Sequence, residues 1–169
     1  MEEFAVDLVL ARRTRHRQNM ASAGLRGALQ VVDAASVRAT ADQARALRVP
    51  ARSTLLRLHV LGEAEAQPLH FSERFFPLPR MAGLDDVVRE TGSITEAFAA
   101  HGVADYTRLE SRITAQMPEP AVAAQLRQAV ARPVLFVESV NVDTAGVPIE
   151  YARTWFAGDR VTLTVAHDE

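Results

Sequence analysis

The sequence predicts an α+β domain: a central, mainly antiparallel sheet of about six strands, with helices packed on it. The first observation behind this is an internal repeat. A strand–helix–strand–strand unit at 29–76 returns at about 109–156, with Leu47 answering Leu126, Pro50 answering Pro133 and Pro68 answering Pro148, at a spacing of about 79 to 83 residues. The second is that short, turn-rich links join strands within each unit, which favours antiparallel hairpins with helices on one face. The third is size: 169 residues, 48% of them hydrophobic, suffice for one core. A pocket where the two related surfaces of such a sheet meet is the default binding site.

The elements follow in order. Phe4 to Leu10 alternates loosely and is β-favouring, a short lead-in strand. Arg12 to Ala23 is polar and helix-tolerant, and Gly24 is a natural stop. Leu29 to Val37 reads as a strand, and Ala39 to Val49 as an Ala/Arg-rich helix closed by Pro50. Ser53 to Leu61 and Pro68 to Phe76 form a hairpin through Gly62 to Gln67. A helical middle runs from Met81 to His101 with a break near Gly92, where Ser93 stands as an N-cap three residues before Glu96, and Gly102 ends it. Asp105 to Gln116 is a strand, and Glu119 to Val130 a helix with Pro120 in its first turn. Pro133 to Val142 and Pro148 to Phe156 are strands joined by the turn Asp143 to Val147, and Val161 to His167 is a last strand.

Composition removes several classes of function. A net charge of −2 argues against a whole-surface grip on DNA or anionic lipid. There is no cysteine, hence no disulfide, thiolate metal site or Cys nucleophile. No apolar run approaches the roughly 20 residues of a membrane span, and Met1 to Ala11 carries Glu2, Glu3 and Asp7 where a signal peptide needs basic and apolar regions. The expectation is a cytoplasmic domain. Five histidines are scattered without metal-ligand spacing, and neither a G-x-S-x-G elbow nor a G-x-x-x-x-G-K loop is present, so no metal, cofactor or catalytic residue is expected.

The stretch VDTAGVPIEYARTWFAGDR (142–160) contains the turn D-x-x-G-x-P, then I-E-Y, and nine residues after Glu150 the pair Asp159-Arg160. With RTRHRQNMASAG (13–24), GSITEAF (92–98), GVADYTRLESRI (102–113) and ARPVLFVE (131–138) in order, it resembles the effector-binding (UTRA) domain of GntR-superfamily, HutC-subfamily transcriptional regulators. Within them it looks most like the phosphonate-metabolism, PhnF-like branch. The resemblance covers essentially the whole chain. It implies a chorismate-lyase-like fold, a homodimer, and a small anionic effector such as a phosphonate, phosphate or sulfate. It also implies that DNA contact, and so repression, belongs to an N-terminal winged helix-turn-helix domain for which residues 1–169 leave no room. Effector binding would favour one packing of the two subunits.

Arginine's planar fork suits bidentate recognition of phosphate or carboxylate, which makes Arg13, Arg15, Arg57, Arg108 and Arg112 candidates. Arg108 and Arg112 lie four apart on a strand and are expected to share a face; alternatively they pair with Glu110, Glu138 or Glu150, or face water. Arg13, Thr14 and Arg15 match the family segment that lines the effector pocket, although composition alone reads them as a solvated helix start. Glu150 stands where the family contacts the effector's polar part, and alternation places Thr154 and Phe156 on its face; it could equally be partner to an arginine. Glu73 is the candidate for a similar role in the first repeat. Ser93 either presents its hydroxyl or N–H to an anion or simply caps its helix. Sugar-phosphate-sensing relatives carry an Arg-x-Arg pair in the strand where this chain has Arg57 and His59 out of register, which favours a smaller anion. Because the implied fold is shared with chorismate lyase, an enzyme acting on a small carboxylate is the competing expectation.

Overall fold

The computed structural model describes residues 6–10 and 27–167. The expected helix at Arg12 to Ala23, and with it Arg13, Thr14 and Arg15, lies outside the described residues. Strands β1 (Val6–Leu10) and β2 (Gly27–Arg38) lead to helix α1 (Ala41–Leu47) and the hairpin β3 (Thr54–Ala64) and β4 (Gln67–Pro77). Helices α2 (Leu84–Thr91) and α3 (Ile94–Ala100) follow, then β5 (Tyr106–Gln116), α4 (Pro120–Leu126), the hairpin β6 (Val134–Asp143) and β7 (Pro148–Ala157), and β8 (Val161–Val165).

Six strands form one sheet in the order β2-β3-β4-β7-β6-β5, with every neighbouring pair antiparallel. The repeat is therefore visible in space: β2-β3-β4 and β5-β6-β7 are two half-sheets joined through β4 and β7. The likeness extends to local detail. Arg48 and Arg127, which follow α1 and α4, both adopt the left-handed conformation (φ 53° and 51°) and turn their N–H groups back onto the last helical carbonyls. Both hairpins also carry a register shift at the equivalent place, between Gly62 and Glu63 and between Asn141 and Val142. Chain ends add a second, two-stranded sheet in which β1 and β8 pair in parallel.

Helices cover both faces of the sheet rather than one. On one face, α1 packs Ala44 and Leu47 against Leu55, Phe75 and Tyr151, and α4 packs Val122 and Leu126 against Leu61, Phe71 and Val134. On the other, α2 and α3 bury Leu84, Val88, Ile94 and Phe98 against Leu56, Leu58, Val60 and Phe76, while β1 and β8 lay Val6, Leu8 and Val161 over Leu69, Val137 and Phe156. The repeat alone accounts for one helix per unit; α2 and α3 are an insertion between units, and their apolar stripe needed a face of its own. The helices are also shorter than periodicity suggested, since α1 and α4 stop at their left-handed caps before Pro50 and Pro133. At Thr40 a complete capping box with Gln43 starts α1.

Two side chains tie loops to this frame. The Arg160 guanidinium is buried and donates to the carbonyls of Pro68 and Leu126, 2.6 Å each, joining the start of β4 to the C-terminus of α4, where the helix dipole favours a cation. Asp143 folds its carboxylate over the β6–β7 turn, accepting from the N–H groups of Ala145 and Val147 at 2.9 Å and from Arg80 at 2.8 Å. Burial alone would push this carboxyl up; the Val147, Arg80 and Ala145 donors outweigh it and hold it below its ordinary value of 3.8.

Arg160→Ala strands two buried carbonyls and is expected to destabilise the domain by roughly 2–4 kcal/mol in urea unfolding, the loss of two charge-assisted hydrogen bonds. For Asp143→Asn the deficit depends on pH. A depressed folded-state pKa contributes stability that is complete above the unfolded value and lost as pH falls through the folded one. The gap between parent and Asp143→Asn is therefore expected to be about 1–2 kcal/mol at neutral pH and to close below pH 3.8; an unchanged gap in acid would contradict the assignment.

Candidate functional site

The central strands carry polar side chains where a sheet covered on both faces would be expected to carry apolar ones. Cross-strand register defines the pattern. On the face covered by α2, α3, β1 and β8, Leu58 of β3 lies beside Arg74 of β4, then Ala152 of β7, Ser139 of β6 and Ser111 of β5. The next row along runs Val60, Ser72, Thr154, Val137 and Ile113. On the other side of the first row, Glu150 pairs with Asn141 and Asn141 with Arg108. Ser72, Ser139, Asn141, Glu150 and Thr154 are all buried. They form a polar floor between the apolar packing under α2 and α3 and that under β1 and β8.

One network connects this floor. Arg74 donates through Nη1 to Glu150 Oε2 at 2.9 Å and through Nε to Ser72 Oγ at 2.9 Å. Asn141 Nδ2 donates to the other Glu150 oxygen at 2.6 Å, and Arg108 Nε reaches Asn141 Oδ1 at 3.5 Å, a long and weak contact. Glu150 is 1% exposed, and both of its oxygens are bonded, as burial of an acidic side chain requires. Arg74 keeps 13% of its side chain exposed, which leaves the cation reachable. Two guanidinium groups, one carboxylate and three hydroxyls in a protected patch suit a small ligand that carries an anionic group and a hydrogen-bond donor.

The sequence candidates divide between the faces. Arg108, Glu150, Thr154 and Phe156 share the polar floor's face, with Phe156 at its apolar border against the His70 ring, 5.2 Å between centroids. Arg112 does not share a face with Arg108. Arg108 pairs with Asn141 and Arg112 with Glu138, three residues apart on β6 and thus on opposite faces, because a bulge between Arg108 and Glu110 inserts one residue and reverses the alternation. Arg112 lines a cleft of about 440 Å³ on the opposite face with Arg45, Arg48, Glu138 and Tyr151. Burial and the adjacent Glu138, which accepts the Tyr151 hydroxyl at 2.8 Å, raise the Tyr151 pKa well above 10.

Arg57 and Glu73 also face away from Glu150. Arg57 pairs with Asp33 at 2.7 Å; Glu73 lies 2.9 Å from His59 Nε2 and 3.5 Å from Arg153 Nη1. Glu73 is not the first-repeat counterpart of Glu150: the chain position about 80 residues before Glu150 is His70, whose ring packs over Gly62 so closely that a Cβ there would lie 2.2 Å from it. The Gly62–His70 pair thus stands where the second repeat has Asn141 and Glu150. Ser93 caps α3, its hydroxyl accepting from the Glu96 N–H at 3.1 Å.

Arg74, Asn141, Ser72 and Ser139 escaped sequence reasoning. The signal was present in PLHFSERFF, where alternation aligns His70, Ser72 and Arg74, and in the polar Ser139 and Asn141 of an otherwise apolar strand. What was lacking was the β4–β7 register that brings Arg74 to Glu150.

Comparison with known proteins bears on the family and the fold. Residues 22–162 match the UTRA domain family. The chain is 34% identical over 160 residues to the uncharacterized HTH-type transcriptional regulator RB1450 of Rhizobium meliloti (strain 1021), covering 95% of this chain and 66% of that protein. In fold it is similar to PhnF from Mycobacterium smegmatis, with a TM-score of 0.85 at 21% identity over 97% of this chain and 72% of that one. The effector domain of the same PhnF gives 0.84 at 20% identity, with 97% and 100% covered. The Rhizobium relative is named as a transcriptional regulator, which favours the effector-domain expectation over the lyase one.

The ion pair at the centre of the floor makes a prediction of its own. Arg74→Ala leaves the Glu150 carboxylate buried without its cation and is expected to destabilise the domain by roughly 2–4 kcal/mol, somewhat less than a fully dry pair. Arg74→Met combined with Glu150→Gln removes both charges and should recover most of that loss. Urea unfolding of Arg74→Met, Glu150→Gln and their combination alongside Arg74→Ala checks it; losses that simply add in the combination would mean the residues do not interact.

Proposed function

This chain belongs to the UTRA domain family, and on that premise we propose that it is the effector-sensing and dimerising part of a transcriptional repressor that binds a small anionic ligand. The observation that carries the reading is the buried Arg74–Glu150–Asn141 network at the junction of the two repeats, with Arg108 at its end. Arg74 and Arg108 supply charge-assisted donors for the anionic group; Glu150 accepts from an amine or hydroxyl at the ligand's other end. A phosphonate fits this division of charge, and the motifs shared with the phosphonate-metabolism branch support that class over a sugar phosphate. The regulated process is then uptake or breakdown of such a compound. DNA contact falls to a separate helix-turn-helix domain of the kind for which the Rhizobium relative is named. Effector binding acts on it by favouring one packing of two subunits, by no more than the ligand's difference in affinity for the two states.

Calorimetry with methylphosphonate, 2-aminoethylphosphonate and sulfate tests this. The parent chain is expected to bind at least one of them, and Arg108→Ala to weaken it on the order of 10- to 100-fold, the worth of one charge-assisted bond. Arg108→Lys should recover only part, since an ammonium lacks the planar fork. Glu150→Gln should lower the preference for 2-aminoethylphosphonate over methylphosphonate, whereas Arg57→Ala, on the opposite face, should change nothing. No binding of any of the three, or equal losses with Arg57→Ala, would put the site elsewhere.

A further inference from the structure

On the face covered by α1 and α4, a single row holds one charged or titratable side chain from every strand of the large sheet. Register aligns Asp33 of β2, His59 of β3, Glu73 of β4, Arg153 of β7, Glu138 of β6 and Arg112 of β5. Most of the row is paired. Arg57 holds Asp33 at 2.7 Å, and Glu73 lies between His59 at 2.9 Å and Arg153 at 3.5 Å. The pairing stops at β5. Glu138 and Arg112 are directly opposed, a placement that suits an ion pair, yet among the described residues neither is in one. Glu110, two residues before Arg112, and Arg48, which follows α1, likewise have no side-chain hydrogen bond or ion pair among the described residues. These four groups instead line the cleft of about 440 Å³ between α1 and the β5–β6 edge, with Ala46, Leu109 and Val140 as its apolar lining. Tyr151, kept protonated by burial, donates to Glu138 Oε2 at 2.8 Å and leaves Oε1 open. Arg45 and Asp42, the other charges of the lining, pair with each other at 3.0 Å.

We propose that this cleft is a second binding site, for a zwitterion with an apolar body, the chemistry of a free amino acid with a large side chain. Arg48 and Arg112 take its carboxylate, Glu110 and Glu138 its ammonium, and Leu109, Val140 and Ala46 cover its carbon skeleton. The charges decide the class. A simple anion would meet Glu110 and Glu138, and a simple cation would meet Arg48 and Arg112; only a ligand of both signs satisfies all four. The volume lies within the range of small-molecule sites, roughly 300–1,000 Å³. Arg112 thus keeps the anion-binding role its fork suggests, but on the face opposite Arg108. The two sites stand back to back: Glu150 and Tyr151 are neighbours on β7 and project to opposite faces. This second site does not depend on the effector reading of the first.

Calorimetry with four probes separates the three features. L-Phenylalanine carries all of them; 3-phenylpropionate lacks the ammonium, 2-phenylethylamine lacks the carboxylate, and glycine lacks the apolar body. The parent chain is expected to bind phenylalanine, and each of the other three on the order of 10-fold more weakly or worse. Arg48→Ala and Arg112→Ala should each weaken phenylalanine on the order of 10-fold, and Glu138→Gln, which keeps an acceptor for the Tyr151 hydroxyl, by a similar factor. Arg57→Ala, on the same face but outside the cleft, should leave it unchanged. Arg48 and Arg112 are exposed, and urea unfolding checks that their variants keep the parent's stability. No binding of phenylalanine overturns the proposal. Binding of 3-phenylpropionate as tight as that of phenylalanine overturns the zwitterion, and losses no greater for Arg48→Ala and Arg112→Ala than for Arg57→Ala overturn the location.

Discussion

The pairing of β4 with β7 is the constraint on which the rest of the molecule depends. Neither repeat closes a sheet alone: each is three strands and one helix, with two inner strands whose polar and apolar residues need opposite neighbours. Setting Ser72 against Thr154, Glu73 against Arg153 and Arg74 against Ala152 joins them, and the same register decides what lies on either face. On one it delivers Arg74 to Glu150; on the other it delivers Arg153 to Glu73 and stacks Phe71 near Trp155 and Phe75 near Tyr151. A one-residue slip of β4 against β7 would turn β4 over, carrying Glu73 to the face under α2 and α3 and Arg74 away from Glu150.

Symmetry in the backbone is put to asymmetric use in the side chains. The first repeat offers Leu58 and Val60 on the face where the second, about 80 residues on, offers Val137 and Ser139; where the first has Gly62 and His70, the second has Asn141 and Glu150. The apolar set forms the seat for α2 and α3, an insertion with no counterpart in the second repeat. The polar set lies where that insertion does not reach. A buried charged network is weak evidence for stability, since apolar residues of similar volume often serve as well. Its concentration in one half of one face is what the proposed ligand site would require.

Much of the fold was legible because its signals are local. Repeat spacing, hairpin turns, Ser93 as a cap and Pro120 in a first turn each depend on a few neighbouring residues, and all reappear in the structure. The faces of β7 were also legible: Glu150, Thr154 and Phe156 lie together because nothing interrupts the alternation there. Reading failed where a bulge intervened. Alternation holds for Arg112 and Ile113 but breaks at Leu109, so Arg108 and Arg112 part company, and no turn residue in TRLESR announces it. Pairings between distant strands were equally hidden: Arg74 looks like a surface residue until β7 is laid beside β4. Placing the helices on one face failed for a different reason, since the repeat says nothing about an insertion that brings its own apolar stripe.

The bulge that defeated the reading also links the site to the edge of the sheet. Arg74, Glu150, Asn141 and Arg108 sit on β4, β7, β6 and β5 in turn, a line across four strands that begins at the junction of the repeats and ends in the edge strand. Glu150 is the shared element, with one oxygen given to Arg74 and the other to Asn141. On the proposed reading, a ligand that took Arg74 from Glu150, or took the carboxylate for its own amine, would change the partner available to Asn141 and through it the weak 3.5 Å contact to Arg108. Arg108 lies immediately before the bulge, and Glu110 immediately after it, so a change in how Arg108 is held acts at the point where β5 is least constrained by its ladder. Coupling of this kind requires no long mechanical path. It requires that one buried carboxylate cannot satisfy two sets of partners at once, which its burial makes costly.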